Sequence, residues 1–495
     1  MMKWLRSLHS WCNRYEWIIF LLLLVLILRL PSLVMPHYYG DEEIYFVMGR
    51  AWRTGVPLYK SMFDHKPPLI YILAGLAPTM FLFRGVLLLV MLVHTWLFWK
   101  LSQLFWAKTR PFMVYVSTLL FVLLTTLPTF EGLTVNAELF MMVPVTFSIL
   151  LLWKAKKSDW KRYLLAGLVS GIGWLFKIPV AFDVAAVGLY FLVFERKSFW
   201  ESVKGLFSFS MLSFLLGFIL PLASTFVYYY LKGSGPDYLA TVITVNLGYV
   251  SSWSTSSYSF NPFKSGLLVR GILLLLFTIG LYFSRKKLDR SLVFASLWFA
   301  FSLFGALLSD RPYPHYLQEP ALPFALLLPF LFVAENVMSW IVIAILTASI
   351  ILTQWQIKFG AYPTTSVYQT YWEYVTKKIS WSGYMARFDN APQNYAVAQY
   401  LNERLSSADQ IYIWGTDPTI YNLTDRLPSG GKYIVSFHVR DLNQYDYTMT
   451  HLQAHPPLYI VFFPDAGEFP ALTAFISHAY VLAKHIGTAQ IYIRL

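Results

Sequence analysis

Charge is scarce in this chain. Of its 495 residues only 13% are Asp, Glu, Lys or Arg, against 57% hydrophobic and 18% aromatic. Soluble domains carry about 25% charged residues, so a single water-facing globule is excluded. The mean hydropathy of +0.51 agrees, and the chain reads as an integral membrane protein. Cysteine is nearly absent: Cys12 stands alone and excludes an intrachain disulfide. Internal repeats, low-complexity linkers and metal-ligand spacings such as HExxH are missing too. The net charge of +13 does not indicate nucleic acid as a partner. From residue 357 onward ten Lys/Arg balance ten Asp/Glu, so the other 29 basic and 16 acidic residues carry the whole excess. That excess lies in the apolar part and belongs to membrane topology.

What the chain has is apolar runs, at roughly 17–35, 84–106, 112–128, 139–153, 163–179, 181–194, 206–231, 267–283, 291–308, 317–334 and 338–356. Several reach the ~20 residues a helix needs to cross hydrocarbon; the shorter ones are tilted or re-entrant. The first run lacks a small-residue cleavage site and reads as a retained helix. Lys/Arg clusters fall on one side if each run crosses once: Lys3, Arg6 and Arg14; Lys108 and Arg110; Lys154 to Arg162; Arg196, Lys197 and Lys204; Arg285 to Arg290. The positive-inside rule makes that side cytoplasmic. The expected fold is a polytopic α-helical membrane protein of about eleven spans over 1–356, N-terminus inside, followed by an extracytoplasmic α/β domain over 357–495. In that domain "NYAVAQYLNERLSS", "DPTIYNLTDR" and "DLNQYDYTMTHLQA" read as helices. "DQIYIWG", "KYIVSF", "PLYIVFFP" and "AQIYIRL" read as strands. The plasma membrane is the expected location.

The first outer loop, 36–83, holds most of the chemistry. "YYGDEEIYFVMGRAWRTGVPLYKSMFDHKPPLIY", residues 38–71, sets Asp41, Glu42 and Glu43 side by side and then Asp64, His65 and Lys66 before two prolines. One reading is a solvated helix start, with the three acids facing the macrodipole of "EEIYFVMGRAWRTG" and Ile44, Val47, Met48 and Ala51 on one face of an interfacial helix. The other is chemistry: a carboxylate as general base and a nearby cation for a departing phosphate suit sugar transfer from a lipid phosphate.

These motifs resemble the first outer loop of polyprenyl-phosphate-sugar-dependent glycosyltransferases of the GT-C fold. That superfamily includes the protein O-mannosyltransferases, the lipid A aminoarabinose transferases and the rhizobial lipid A core transferase-like enzymes. The resemblance extends more weakly over about 15–335, through Arg84, "TVNAELF" with Asn136 and Glu138, "GLVSGIGWLFKIPV" with Lys177, and "RPYPHYLQEPALP" with His315 and Tyr316. It implies that Asp41 is the catalytic carboxylate; Glu42 or Glu43 would then orient it or hold acceptor or metal. It also implies that Lys66 binds the carrier phosphate, with Arg84, Lys177 and His315 as helpers, and that Glu43, Asp64, His65 and Glu138 lie near acceptor or metal. Two positions depart from the pattern. Ile44 stands where the aminoarabinose transferases have an arginine, and His65 stands where they have a metal-associated glutamate. A divalent cation (Mg or Mn) is therefore allowed but not required.

The bland readings stand beside these. Lys177 lines a cavity or snorkels to the interface; Asp183, six residues on, is its candidate partner. Glu131 and Glu138 are then plain loop carboxylates, His315 an ordinary histidine, and "NLT" at 422–424 a chance sequon. The implied activity is inverting transfer of a hexosyl or pentosyl group from a polyprenyl-phosphate carrier to a lipid, polysaccharide or protein acceptor outside the cytoplasm. The alternative is a multi-pass transporter or lipid flippase without glycosyl transfer, which would be expected to show paired halves. A membrane-anchored binding module, the third reading, explains neither the loop nor the spans.

Overall fold

The computed structural model describes residues 2–106, 110–196, 198–246, 266–309 and 311–495. Lys108, Lys197 and the Ser-rich stretch 251–259 of the long loop 232–266 lie outside them. The chain begins with α1 (Met2–Val34), α2 (Gly40–Arg53), α3 (Leu69–Leu76), α4 (Met80–Trp106) and α5 (Pro111–Thr126). Next come α6 (Ala137–Trp153), α7 (Trp160–Trp174), α8 (Val180–Leu189), α9 (Phe199–Leu206) and α10 (Phe209–Leu231). Three further long helices occupy Gly266–Ser284, Arg290–Ala306 and Val337–Ile357, and a shorter one Gln318–Leu327. All eleven apolar runs thus coincide with helices. Among the described residues five helical segments are long and apolar enough to cross a membrane: Tyr15–Val34, Met80–Trp106, Phe209–Leu231, Gly266–Lys287 and Val337–Ile357. The remaining six runs form shorter helices. The chain is a polytopic membrane protein.

By contacts the chain forms two compact units. The first comprises Met1–Leu30, Gly85–Thr225 and Gly248–Thr364; the second Pro31–Arg84, Phe226–Leu247 and Thr365–Leu495. The loop that the sequence singles out therefore groups with the C-terminal residues.

The first unit is helical. Two of its helices, α7 and α10, approach closely where Gly167 and Gly171, four apart and so on one face, meet the backbone of Phe214 and Phe218, and Gly217 meets that of Leu164 and Leu168. A Cβ on Gly167 would lie 2.0 Å from the carbonyl oxygen of Phe214, and one on Gly217 would lie 2.2 Å from that of Leu164. Small residues at this spacing let backbones approach, which in lipid replaces the hydrophobic drive that water supplies elsewhere.

In the second unit a four-stranded sheet runs in the order β1 (Ile411–Trp414), β2 (Tyr459–Phe462), β4 (Ala489–Arg494), β3 (Tyr480–Ile486). β1 and β2 are parallel, while β4 runs antiparallel to both β2 and β3. Three of the four expected strands are present. "KYIVSF" is not one: Tyr433 makes only an isolated bridge to Phe63, and a helix begins at Ser436. The backbone of this segment is used by the first-loop chain instead, Phe63 N–H donating to the Lys432 carbonyl at 2.8 Å. Phe63 then enters the core of the sheet domain with Tyr412, Trp414, Val439 and Leu452. Burying such a ring contributes roughly 1.5–3 kcal/mol, and the residue it anchors next is Asp64.

Gly167→Ala should destabilise the first unit, since overpacking costs about 1–3 kcal/mol. Gly188→Ala, in α8 with open space around its Cα, should not. Thermal unfolding of the two purified variants in one detergent checks the contrast.

Candidate active site

Successive helical residues point about 100° apart, and this separates the three adjacent acids at the start of α2. Each acquires its own partner within the second unit. Asp41 remains 26% exposed at its side chain, with Oδ2 3.7 Å from Lys66 Nζ and accepting from Tyr45 Oη at 3.3 Å. Glu42 is wholly buried and accepts from Arg84 Nε at 3.0 Å and Nη2 at 2.6 Å. Glu43 is also buried; it accepts from Asn422 Nδ2 at 2.7 Å and meets His37 Nδ1 at 2.9 Å. The expected interfacial helix is thus buried along most of its length, not only on the Ile44, Val47, Met48 and Ala51 face.

Arg84 is 1% exposed and also donates to the carbonyls of Ser32, Met35 and Pro36. A guanidinium so committed clamps the backbone before α2. Glu42 is its bidentate partner and shares in that clamp.

Lys66 is 6% exposed and lies between two acids, 3.7 Å from Asp41 and 3.6 Å from Asp64 Oδ2, with its ammonium 5.0 Å from the Tyr45 ring centre. Its backbone is fixed as well. Its N–H donates to Tyr71 Oη at 3.0 Å, and its carbonyl accepts from Tyr59 Oη at 3.1 Å. Tyr71 Oη in turn donates to Asp64 Oδ2 at 2.6 Å. The other Asp64 oxygen faces two imidazoles, His65 Nδ1 at 3.1 Å and His438 Nε2 at 3.5 Å. Burial pushes the Asp64 carboxyl up, but Lys66, His65 and His438 outweigh it and hold the group well below the usual range. Burial dominates for His65, whose pKa is lowered. The donor atoms of Asp64, His65 and His438 all lie within 4.8 Å of one another, a spacing that fits a metal ion.

Behind Glu43 the C-terminal residues build a second polar group. Asp417 accepts from Asn394 Nδ2 at 2.7 Å and from Thr419 N–H at 2.9 Å. Burial, reinforced by the nearby Glu43, pushes its carboxyl up to about 6. Burial lowers the His37 pKa, yet the adjacent Glu43 carboxylate more than offsets this and leaves it above 6.5.

The first unit brings together Lys177, Glu138, His315 and Glu131. Lys177 Nζ pairs with Glu138 and sits 4.3 Å above the Tyr316 ring centre. His315 Nδ1 pairs with Glu131, and its Nε2 is 3.9 Å from Glu138. The Lys177 partner is therefore Glu138 and not Asp183, which accepts instead from Trp298 Nε1 at 2.7 Å and from Ser302. Sequence reasoning missed His37, Tyr71, Asn422 and His438. Tyr71 lies inside the quoted motif, but the last two stand more than 370 residues from their partners in the chain.

This arrangement of apolar helices with a small C-terminal sheet is the GT-C fold. Among solved structures, ArnT from Cupriavidus metallidurans bound to undecaprenyl phosphate is similar at a TM-score of 0.58 and 13% identity, over 97% of this chain and 98% of that one. The same protein in the apo state gives 0.56 and 12%, over 98% of each chain. No protein-family model matches the chain, and no curated protein matches it.

Glu42→Gln leaves the Arg84 charge buried with half its partner gone and should cost about 3–5 kcal/mol, read as a fall in unfolding temperature. The His37–Glu43 pair gives a pH signature. Because the folded pKa of His37 lies above 6.5, its stabilisation is complete below the unfolded value and is lost as pH rises through the folded one. The unfolding-temperature gap between wild type and His37→Gln should shrink as pH rises above the ordinary histidine range; a constant gap would contradict the pairing.

Proposed function

We propose that this chain is an integral membrane glycosyltransferase that moves a sugar from a polyprenyl-phosphate carrier to an acceptor hydroxyl outside the cytoplasm, with inversion. The observation that carries the reading is the pair formed by Asp41, partly exposed at the start of α2, and Lys66, 3.7 Å away and 6% exposed. The GT-C fold supports it, since a structure sharing that fold holds undecaprenyl phosphate.

In the proposed reaction Asp41 takes the proton of the acceptor hydroxyl as that oxygen bonds to the anomeric carbon. The bond from that carbon to the phosphate oxygen breaks, and the carrier phosphate leaves with the electron pair. Lys66 neutralises the charge that develops on it, where removing a preorganised donor costs roughly 3–4 kcal/mol of barrier. A divalent cation, when bound, supplies Lewis-acid stabilisation of phosphate charge; Asp64, His65 and His438 are the residues whose donor atoms would hold it. Lys177 and His315, each paired with a carboxylate of the first unit, are assigned to structure. The Lys/Arg distribution supports a cytoplasmic N-terminus, and the sheet domain is assigned to acceptor selection. The donor sugar is a hexosyl or pentosyl group, and the acceptor a lipid, polysaccharide or protein. The transporter alternative gains no support from paired halves.

Asp41→Asn should lower sugar transfer in membranes by a factor of about 10²–10⁴. Lys66→Ala should lower it by about 10²–10³. Asp41→Asn should keep the wild-type unfolding temperature to within a few degrees, because Asp41 is partly exposed and is not part of the Arg84 clamp, whereas Lys66→Ala also removes the nearest cation of buried Asp64 and should lower it. Undiminished transfer by Asp41→Asn, measured with a polyprenyl-phosphate sugar as donor, would sink the assignment of the base.

A further inference from the structure

We infer that the lysine-rich end of the first unit is a binding surface for anionic phospholipid headgroups, centred on the loop 154–159 between α6 and α7. Contacts within the unit bring three basic stretches of the sequence together there. Phe209, which opens α10, meets Trp160, which opens α7, edge to face at 5.7 Å. Ser210 Oγ donates to the Lys157 carbonyl at 2.8 Å. The foot of α10, with α9 just before it, is thereby held against the loop. Arg290 lies 5.2 Å from the ring centre of Trp153, the last residue of α6, and pairs with Glu195 beyond α8. The stretches 154–162, 195–204 and 285–290 therefore share one end of the helices.

The second observation is an imbalance of charge at this end. Its carboxylates are largely spoken for: Asp159 by Arg162 at 3.2 Å, Glu195 by Arg290 and Glu335 by Arg110 at 2.6 Å. Asp289 accepts from the amides of Ser291 and Leu292 at the start of the helix Arg290–Ala306. Glu201 occupies the first turn of α9, where the helix dipole favours a negative charge. The lysines are not matched in this way. Lys154, Lys156, Lys157, Lys161, Lys286 and Lys287 are all exposed, and among the described residues none of them forms an ion pair. Each such charge strengthens attachment to an anionic lipid surface by roughly fivefold.

The apolar border of the lysines selects a lipid over a soluble anion or an acidic protein. Trp160, Trp200, Phe207 and Phe209 are exposed beside them. Helix α9 turns Ser202 and Gly205 inward and presents Trp200, Lys204 and Phe207 outward, at the four- and three-residue steps of one helix face. A helix of that kind lies in the interface plane, its rings at headgroup level and its lysine within reach of phosphate. Beyond Phe209 the exposed side of α10 continues through Leu212, Leu216 and Ile219, along a segment long and apolar enough to cross a membrane. Acyl chains have a surface to follow there, and the lysines stand at its end. A soluble anion would use the lysines and leave the rings in water. The surface is a property of the helical unit and stands whether or not the glycosyl-transfer reading holds.

The test uses the full-length protein, stripped of lipid in a neutral detergent. It is titrated with phosphatidylglycerol or with phosphatidylcholine of the same acyl chains, and bound lipid is counted by native mass spectrometry. The first phosphatidylglycerol should bind at least about fivefold more tightly than the first phosphatidylcholine. Replacing Lys156, Lys157 and Lys161 together by glutamine should bring the two affinities to within about twofold of each other. Lys377→Gln with Lys378→Gln, exposed lysines of the second unit, should keep the wild-type preference. Trp200→Ala with Phe207→Ala should weaken both lipids alike and leave their ratio unchanged, because the rings hold the chain and not the charge. Equal affinity of the wild type for the two lipids would overturn the surface without recourse to any variant. An undiminished preference in the triple glutamine variant would overturn it too. Displacement of phosphatidylglycerol by an equal concentration of glycerol 3-phosphate would overturn the lipid as its occupant.

Discussion

The arginine that opens α4 sets the geometry of the candidate site. Removing a guanidinium and a carboxylate from water costs several kcal/mol per ion, and Arg84 is reached by almost no solvent. Its burial is tolerable because nearly every donor is used: two contacts go to Glu42 and the rest to the carbonyls of Ser32, Met35 and Pro36. Those carbonyls lie just before α2, and Glu42 lies in its first turn. One side chain thus fixes both where the helix starts and how it is rotated. With Glu42 facing Arg84, the 100° step sends Asp41 toward Lys66 and Glu43 toward His37 and Asn422. Three adjacent carboxylates that would otherwise repel are each neutralised or hydrogen-bonded along separate directions.

The same logic of paired burial holds in the first unit. Ionisable groups among apolar helices are retained only with a partner. Lys177 has Glu138, His315 has Glu131, and Asp183 has the indole of Trp298 and the hydroxyl of Ser302. None of these partners lies within one helical turn of the group it satisfies. They are tertiary contacts, so spacing rules for one helix misassign them, as the pairing of Lys177 with Asp183 illustrates.

Sequence made much of the fold legible because its strongest signals are local. Each apolar run is helical, Asp41 to Glu43 do open a helix, and "IYIW", "YIVF" and "AQIYIR" are strands by composition and alternation. The failures have a common cause. "KYIVSF" has strand propensity, but its backbone is engaged by Phe63 and it gives way to a helix, so tertiary contact overrides propensity. The Gly167–Gly171 pair gave no warning among apolar neighbours, since its meaning depends on the backbone of another helix. The candidate site divides in the same way. The "DHKPP" segment announced Lys66 and Asp64, while Asn422 and His438 come from the far end of the chain and carry no motif.

The missing arginine at Ile44 now has a physical context. Ile44 is 3% exposed, in a turn already crowded by three acids and a clamped guanidinium. Of the cations in the second unit, Arg50 is engaged by the carbonyls of Tyr421, Asn422 and Arg426 and by Asp425. Arg84 is engaged by the clamp. Lys66 differs in kind, because its carboxylate contacts are 3.6 and 3.7 Å, longer than hydrogen bonds. A point charge on a flexible stem can exchange such contacts for a phosphate oxygen, whereas a guanidinium locked in a fork of acceptors cannot without unfolding its surroundings. Of these three cations, Lys66 is therefore the one proposed above for the carrier phosphate.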